Sequence, residues 1–290
     1  MHSEKTEVAE PTLYVVATPI GNLQDITLRA LATLKTVDVI AAEDTRVSRK
    51  LLSHFGIKTE LISSHQHNEQ RAARQLIEFL SKGKSVALIS DAGTPAISDP
   101  GAVAVEQARA AGFRVVPIPG PSAITAAIAA GGLQWSSFCF HGFLPARKRE
   151  RETALASLRL QRGLQVFYEA PHRVVECVIS MAAVLGADRR IGIARELTKL
   201  FEEIHVSRLD ETVLWLQEDD NHRRGEFVLM VEGYMAETTS ENLSSNRALE
   251  ILLRQLPLKQ AVGLAAEITG VKKNALYQQA LKLKSQNDEQ

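Results

Sequence analysis

The amino-acid sequence predicts an α/β fold of two domains, followed by a small helical segment. Three observations support this prediction. Short apolar runs alternate with segments of helical periodicity from residue 12 to residue 233, a Gly-Gly pair at residues 131–132 divides the alternation into two halves, and residues 247–285 have helical periodicity alone. Alternating strands and helices indicate parallel strands, because parallel neighbours require a crossover connection that is usually helical.

The N-terminal domain is predicted to occupy residues 12–131. Its apolar runs have the length expected of buried strands, and they lie at 13–17, 37–42, 59–64, 85–90 and 114–119. Leu28, Leu31 and Leu34 recur at a helical spacing, which predicts a helix between the first two strands. Residues 1–11 are polar, and we expect them to form a disordered tail.

The C-terminal domain is predicted to occupy residues 132–233. Its strands are expected at 137–143, 164–170, 190–196, 204–209 and 226–233, and the short connections between the last of these indicate a partly antiparallel sheet. The Ser-rich residues 234–246 are typical of a linker. Residues 247–290 are expected to be helical and to resemble a helix-turn-helix, with a turn at Thr269-Gly270 and a second helix from Lys272.

Composition excludes several classes of protein. Of the 290 residues, 45% are apolar, and 34 basic side chains balance 34 acidic ones, which argues against a protein that coats nucleic acid through bulk charge. Two cysteines are too few for a disulfide framework. The polar N-terminus and the absence of an apolar stretch of about 20 residues predict no signal peptide and no membrane span, so a cytoplasmic location is expected.

Known ligand-binding fingerprints are absent from the sequence. It has no G-x-G, so neither a dinucleotide fingerprint nor a glycine-rich methyltransferase loop is predicted. His65 and His67 stand two residues apart, but no third ligand accompanies them, and no metal is expected.

Four loops follow predicted strands, where ligands bind in open α/β sheets. The loop at 90–101 is the most unusual, because it holds two Gly, two Pro and two Asp within twelve residues. A tight turn in which Asp99 caps the next helix and Pro100 is its first residue explains the end of this loop. It does not explain the D-A-G-T-P at 91–95, which we expect to contact a ligand. For Ser122, after Pro119-Gly120-Pro121, a helix cap and an anion-binding helix start remain equally open.

The motifs of these loops carry a resemblance. A-T-P-I-G-N-L-x-D-I-T from residue 17, A-E-D-T-R from residue 42, S-D-A-G-T-P-x-I-S-D-P-G from residue 90 and F-Y-E-A-P-H-R from residue 167 resemble the tetrapyrrole methylase superfamily over residues 12–233. That resemblance implies the two-domain class III methyltransferase fold. Within the superfamily, the motifs are most similar to those of members that methylate ribosomal RNA, and the first loop departs from the G-x-G-P-G type of the tetrapyrrole-modifying members.

The resemblance implies S-adenosylmethionine as cofactor, bound between the two domains. It further implies a cofactor site made of residues from both domains: Pro19, Asp91, Ala92, Gly93, Ile97, Ser122, Ala123, Tyr168, Ala194 and Gly225. For Tyr168 the alternative is an ordinary core position at the end of a strand.

The implied reaction is transfer of a methyl group to the ribose 2′-oxygen of a cytidine in the decoding region of 16S ribosomal RNA. A weakly nucleophilic hydroxyl favours a nearby base. The candidates are Glu43, which we favour, and Asp44, Asp25 and Glu196, each with a salt bridge or helix cap as its alternative role. Arg46 or Arg195 is expected to bind a phosphate or to pair with a carboxylate.

An RNA-binding surface is expected at residues 145–163, where six basic and two acidic residues give a net charge of +4. The predicted RNA contacts are Arg147, Lys148, Arg149, Arg151, Lys272 and Lys273. An ordinary solvated surface is the alternative. The resemblance also implies a homodimer that acts on the assembled small ribosomal subunit. Two competing functions stay open: methylation of a tetrapyrrole, and RNA binding without catalysis.

Overall fold

The computed structural model describes residues 10–64, 69–234 and 238–287. The chain separates into two units, Met1–Gly233 and Tyr234–Gln290, which are described separately below. Most of the predicted disordered tail, residues 1–9, lies outside the described residues, and β1 begins directly after it at Thr12.

The first unit begins with a five-stranded parallel sheet, as predicted. Its strands are β1 (Thr12–Val16), β2 (Val39–Ala42), β3 (Glu60–Ser63), β4 (Val86–Ile89) and β5 (Arg114–Ile118), in the order β3-β2-β4-β1-β5. The central strands β2 and β4 are buried throughout. Pro117 lies in β5, at the edge of the sheet, where its missing N–H costs no interstrand hydrogen bond.

Helices cover both faces of this sheet. They are α1 (Leu28–Thr36), α2 (Thr45–His54), α3 (Glu69–Ser81) and α4 (Ala102–Ala110); a fifth helix, α5 (Ala123–Ala130), instead packs with apolar residues of the second half, among them Val166 and Met230. Leu34 of α1 and Leu52 of α2 pack in one apolar cluster, whereas Leu76 of α3 and Ala104 of α4 pack in another. Two separate cores on one sheet explain why its strands are apolar without alternation.

A second five-stranded sheet follows in the same unit. Its strands are β6 (Phe138–Phe143), β7 (Leu164–Glu169), β8 (Arg190–Arg195), β9 (Glu203–Arg208) and β10 (Phe227–Val231), in the order β6-β7-β10-β8-β9. Only β6 and β7 pair in parallel, and the three other pairs are antiparallel, which confirms the predicted partly antiparallel sheet. The helices of this half are α6 (Lys148–Leu158), α7 (Val174–Leu185) and α8 (Leu209–Glu218).

The predicted helix cap at Asp99 is wrong. Helix α4 begins at Ala102 and its N-terminal cap is Gly101, with a φ of 134°. The N–H of Gly101 donates to Glu69 Oε1 at 2.9 Å, and a Cβ on Gly101 would lie 2.9 Å from Leu88 Cδ2. Only glycine fits this conformation and this close approach, so the helix start moves two residues beyond Asp99 and releases its carboxylate for another role.

The described residues of the second unit form three helices, α9 (Thr238–Leu253), α10 (Leu258–Thr269) and α11 (Lys273–Asn287). The predicted linker at 234–246 is therefore wrong from Thr238 onward. Ser245 and Leu249, one helical turn apart, are both fully buried, and Leu249 packs with Val262 and Leu276. A small buried hydroxyl thus extends the apolar face into a segment whose composition suggested a linker.

The turn of the predicted helix pair lies where expected. Gly270 ends α10 in the left-handed conformation, with a φ of 71°. Within the described residues of both units, no helix combines the length and apolarity needed to cross a membrane.

Candidate active site

A cavity of about 370 Å³ lies in the first unit and is lined by residues of both sheets. This volume lies within the range of small-molecule sites. The residues of the first half that line it are Ile20, Ala92, Gly93, Thr94, Ile97, Ser98, Asp99, Ser122 and Ala123. Those of the second half are Phe143, Tyr168, Glu169, Ala170, Pro171, Ala194, Leu197, Glu226, Phe227 and Val228.

The loops after β1 and β4 are joined at the cavity. Thr18 and Gly93 exchange two backbone hydrogen bonds, of 2.9 and 3.0 Å, and the Thr18 hydroxyl donates to the carbonyl oxygen of Ser90 at 3.1 Å. Gly93 has a φ of 75°, which L side chains rarely adopt. These contacts hold the loop at 90–101, hereafter the Gly-Pro-rich loop, against the end of the sheet. This part of the cavity wall is therefore preformed.

Seven of the ten residues expected to bind the cofactor line this cavity: Ala92, Gly93, Ile97, Ser122, Ala123, Tyr168 and Ala194. The other three, Pro19, Asp91 and Gly225, are not among the lining residues. Pro19 is buried, and its neighbour Ile20 lines the cavity instead. Asp91 Oδ1 accepts a hydrogen bond of 3.0 Å from the N–H of Asp44, outside the lining residues.

Gly225, which was expected to bind the cofactor, allows a close contact between two segments of the chain. Its φ is 99°, and a Cβ at this position would overlap the side chain of Glu196. Its neighbour Glu226 lines the cavity. The glycine therefore permits the close approach of two loops that form one rim of the cavity.

That rim is held by an ion-pair network. Lys199 Nζ contacts Glu196 Oε1 at 2.7 Å and Glu226 Oε2 at 2.6 Å, and the N–H of Glu226 donates to Glu196 Oε1 at 3.0 Å. Burial opposes ionisation of Glu196, but the hydrogen bonds from Lys199 and Glu226 outweigh it, and its pKa is lowered. A carboxylate engaged in this way is a weak base, which weakens the candidacy of Glu196.

Glu43, Asp44 and Arg46, the candidates for catalysis from the second loop, lie at the end of β2 and the start of α2 and are not among the lining residues of the cavity. Asp44 caps α2 by accepting from the N–H of Arg46, and it also holds the Arg46 guanidinium at 2.6 Å. These hydrogen bonds lower the pKa of Asp44 to about 2. Asp44 is thus an ionised partner of an exposed arginine and is poorly suited to accept a proton.

Glu43 lies one step deeper and accepts a hydrogen bond of 3.4 Å from the N–H of Asp91. Burial, with smaller contributions from the charges of Asp91 and Asp44, raises the pKa of Glu43. Glu43 keeps the proton affinity of a base but does not line the cavity. Two other candidates lie apart: Asp25 is exposed, and Arg195 pairs with Glu203 at 2.7 Å.

Asp99 is the acidic residue of the Gly-Pro-rich loop that does line the cavity. Burial, followed by the nearby negative charge of Glu43, raises its pKa to about 6, although the Ser90 hydroxyl hydrogen-bonds to it. Its neighbours Ala96 and Ser98 have φ values of 67° and 64°. These left-handed residues turn the loop, which places Asp99 in the wall of the cavity instead of at the start of α4.

The opposite wall is aromatic and acidic. The ring of Tyr168 packs against those of Phe140 and Phe143, with centroids 4.9 and 5.6 Å away, and burial raises its pKa to about 12. Glu169 is fully buried and pairs with Arg173 at 3.2 Å. Tyr168 is therefore neutral at physiological pH, and Glu169 is compensated.

The predicted RNA contacts differ in exposure. Arg147, Lys148 and Arg149 are exposed on α6 or at its start, with ion pairs from Arg147 to Glu150 and from Lys148 to Glu152. Lys272 and Lys273 are exposed in the second unit, before and at the start of α11.

Arg151 is a correction to the predicted RNA surface. It is 1% exposed; its Nε donates to Ser180 Oγ at 3.0 Å and its Nη1 to the carbonyl oxygen of Ala146 at 3.0 Å. The helix period explains the difference, because Arg151 lies one turn before the buried Leu155 and therefore faces α7. Arg151 joins two helices and does not reach solvent.

No cluster of metal-binding side chains is present within the described ranges. His65 and His67 belong to residues 65–68, outside those ranges.

The sequence-based prediction of the site did not include several cavity residues, although they belong to the quoted motifs. Ser98 and Asp99 belong to the quoted loop, and Glu169, Ala170 and Pro171 to F-Y-E-A-P-H-R. The signal was present in both cases, but helix capping and core packing offered simpler explanations. No sequence motif marks Leu197 or Phe143 as a cavity residue, because each reaches the cavity only through the packing of the two halves.

Comparison with known proteins agrees with this architecture. The family of Tetrapyrrole (Corrin/Porphyrin) Methylases matches residues 12–213, and the RsmI C-terminal HTH domain matches residues 242–284. Two solved structures share the fold: the cobalamin biosynthetic enzyme cobalt precorrin-4 methyltransferase CbiF and the methyltransferase CobJ. Their TM-scores are 0.57 and 0.58, with 16% and 20% identity, over 77% of this chain and 95% and 94% of their own.

Curated relatives are much closer in sequence. The chain is 49% identical to ribosomal RNA small subunit methyltransferase I of Escherichia coli O157:H7, over 96% of this chain and 97% of the relative. It is 51% identical to the protein of the same name from Pseudomonas aeruginosa, over 93% and 96% respectively. The chain therefore belongs to the tetrapyrrole (corrin/porphyrin) methylase family, among the ribosomal RNA small subunit methyltransferase I proteins.

Proposed function

We propose that this methyltransferase uses S-adenosylmethionine to methylate the ribose 2′-oxygen of a cytidine in the decoding region of 16S ribosomal RNA. The observation that carries the proposal is the cavity, in which seven residues expected to bind the cofactor come together from the two halves of the first unit. The names of the close relatives support the acceptor. The departure of the first loop from the tetrapyrrole-modifying type supports RNA over a tetrapyrrole.

The residues of the cavity fit this cofactor. Ile20, Ile97 and the aromatic wall offer apolar surface for a purine. Ser122 begins α5 without a cap hydrogen bond from its side chain, so the N–H groups of that helix start suit a carboxylate. The ring of Tyr168, which lines the cavity, suits a sulfonium cation.

The cofactor, when bound, supplies a methyl group on a positively charged sulfur that leaves as a neutral thioether. The chain's own contribution is position. The loop that includes Gly93, Ile97 and Asp99 is fixed by the Thr18 hydrogen bonds, and the opposite wall by the Glu169–Arg173 pair. Two rigid walls align donor and acceptor, which contributes up to about 7–11 kcal/mol in well-oriented reactions.

The RNA is proposed to bind the exposed basic residues. Arg147, Lys148 and Arg149 on the first unit and Lys272 and Lys273 on the second are accessible to phosphates. Arg46 has an 86% exposed side chain, and Asp44 orients its guanidinium. Arginine held in this way suits a backbone phosphate, so we propose that Arg46 positions the RNA.

We also propose that the enzyme acts in the cytoplasm, as a homodimer, on the assembled small subunit. Similarity to the methylase family supports these points. Sedimentation of the purified protein tests the homodimer, and a comparison of naked 16S RNA with small subunits as acceptors tests the need for assembly.

The cofactor site is tested with a pair of isoleucines of equal exposure. Ile97 lines the cavity and is 43% exposed, whereas Ile179 lies on α7 outside it and is 41% exposed. Ile97→Ala is expected to weaken S-adenosylmethionine binding about tenfold, equivalent to about 1.4 kcal/mol of lost apolar contact. Ile179→Ala is expected to bind as the wild type does. Calorimetry measures both, and equal affinities would place the cofactor elsewhere.

The acceptor is tested with labelled S-adenosylmethionine and small subunits from cells that lack the modification. We expect label on the 2′-oxygen of one cytidine. Label on a tetrapyrrole and none on RNA would refute the proposed acceptor.

A further inference from the structure

Three carboxylates line the cavity among the residues that the structure describes: Asp99, Glu169 and Glu226. Two of them are neutralised by basic partners. Glu169 pairs with Arg173 at 3.2 Å and also accepts a hydrogen bond of 2.8 Å from the N–H of Ala170. Glu226 pairs with Lys199 at 2.6 Å and its side chain is 78% exposed. Neither carboxylate is available to take a proton inside the cavity.

Asp99 differs from both. Its hydrogen-bond partner is the neutral hydroxyl of Ser90, and no arginine or lysine pairs with it within the described parts of the chain. It lies on the wall that also carries Gly93 and Ile97, opposite Tyr168. An unpaired, partly buried carboxylate in a cavity wall has the surroundings expected of a proton acceptor.

From this arrangement we propose that Asp99 is the general base that takes the proton from the acceptor hydroxyl. The assignment rests on the proposed function, because it requires an alcohol as acceptor. It replaces the bases favoured from the sequence, since Glu43 is not among the residues that line the cavity and Asp44 is held by Arg46.

The step balances without a further reactant. The hydroxyl oxygen forms a bond to the methyl carbon, the carbon–sulfur bond breaks, and its electron pair stays on sulfur. The hydroxyl proton passes to the Asp99 carboxylate, which becomes a neutral carboxyl group and releases the proton to water after the product leaves. The positive charge lost at sulfur is matched by the proton gained at Asp99.

The groups that face Asp99 set the pH at which it can act. Glu43 and Asp91 at the ends of β2 and β4 are negative and favour the protonated carboxyl. Ser90 donates a hydrogen bond to the carboxylate and favours ionisation, and Tyr168 is neutral. The balance raises the pKa of Asp99 to about 6, close to neutrality, where a base works best.

The test compares Asp99→Asn with Asp38→Asn. Asp38 lies at the opposite end of β2, where it accepts hydrogen bonds from the N–H and the hydroxyl of Ser85, far along the strand from the carboxyl ends that form the cavity. Asp99→Asn is expected to lower kcat by at least about a hundredfold. Its affinity for S-adenosylmethionine by calorimetry is expected to stay within about twofold of wild type, a change of about 0.4 kcal/mol or less. Asp38→Asn is expected to keep the wild-type kcat.

The wild-type enzyme provides a second measurement that does not depend on the folding of a variant. We expect kcat to rise with pH and to level off above an apparent pKa near 6. The carboxyl carbon of Asp99, followed by NMR in the cofactor-free protein, is expected to titrate in the same range.

The outcomes separate the two proposals. If wild-type protein methylates no RNA, the proposed function fails. If it does, and Asp99→Asn keeps its kcat or the NMR titration lies near pH 4, only the assignment of Asp99 fails. A loss of cofactor affinity as large as the loss of kcat would make Asp99 a binding residue and would also overturn its role as base.

Discussion

Replacement of Arg151 tests whether a basic residue in the predicted RNA segment acts inside the protein. Its guanidinium makes two hydrogen bonds of 3.0 Å, to Ser180 Oγ and to the carbonyl oxygen of Ala146, and its third contact, Glu176 at 3.8 Å, is 76% exposed. Arg151→Ala removes both bonds and opens a cavity between α6 and α7. The acidic partner is not left buried, because it already faces water.

The size of the effect follows from these contacts. Hydrogen bonds to a charged donor contribute about 1.5–3 kcal/mol each, and a buried carbonyl left unpaired costs about 1–3 kcal/mol. Relief of the buried charge offsets part of this loss. We therefore expect Arg151→Ala to lower the free energy of unfolding by about 4 kcal/mol, and Arg151→Met, which preserves volume, to lower it by about 2 kcal/mol.

Urea unfolding measures this loss, with Arg149→Ala as the matched control. Arg149 is exposed on the same helix, so its change in stability should stay within about 0.5 kcal/mol. The salt dependence of RNA binding distinguishes an RNA contact from an internal residue. Arg149→Ala should reduce the slope of log affinity against log salt concentration by about one, whereas folded Arg151→Met should leave that slope unchanged. Equal stability of the Arg151 and Arg149 variants, together with weaker RNA binding by the former, would refute this account.

Because the pKa of Asp99 is about 6 in the folded protein and 3.8 in an unperturbed side chain, the folded state retains a proton that the unfolded chain loses, and the free energy of unfolding falls as the pH rises from about 4 to 6. The shift corresponds to about 3 kcal/mol, reduced to about 1–2 kcal/mol by solvent screening, and Asp99→Asn should remove this part of the pH dependence in urea titrations at several pH values. Glu43 and Asp91, whose pKa values are also raised, should preserve the remainder. Gly225→Ala should lower the thermal midpoint and cost more than about 2 kcal/mol, because its φ is 99° and the new Cβ would overlap Glu196. Gly263→Ala, in α10 with open space around the position, should instead gain about 0.5–1 kcal/mol, and an equal effect of the two substitutions would refute the close-approach argument.

Much of the fold was predictable because its signals are local. Apolar runs of strand length and the helical spacing of Leu28, Leu31 and Leu34 depend on residues a few positions apart. The Ser-rich start of α9 was not predictable from local signals. Ser245 is buried there, and α9 packs against helices that follow it in the chain. Composition describes a segment by itself and carries no information about the surface against which it packs.

The candidate site shows the same division. Parallel strands bring their carboxyl ends to one edge, so the loops at 17–22, 42–46, 90–101 and 119–123 are selected from the sequence as candidate ligand contacts. Three of them contribute lining residues, and the loop at 42–46 contributes none. Sequence patterns do not identify which carboxylate of those loops lines the cavity. The sequence predicts that Asp99 caps α4, whereas Gly101 takes that position and Asp99 lines the cavity.

The class of fold, the parallel arrangement of the first sheet and the loops that meet at its edge are predictable from local sequence patterns, and the motifs indicate the family. Only the packing of the folded chain shows that Arg151 is internal and that Asp99, and not Glu43, lines the cavity. The physical reason is distance along the chain. Arg151 and Ser180 are 29 residues apart, and a side chain's burial and proton affinity are set by neighbours that only the packing of the complete chain brings into contact.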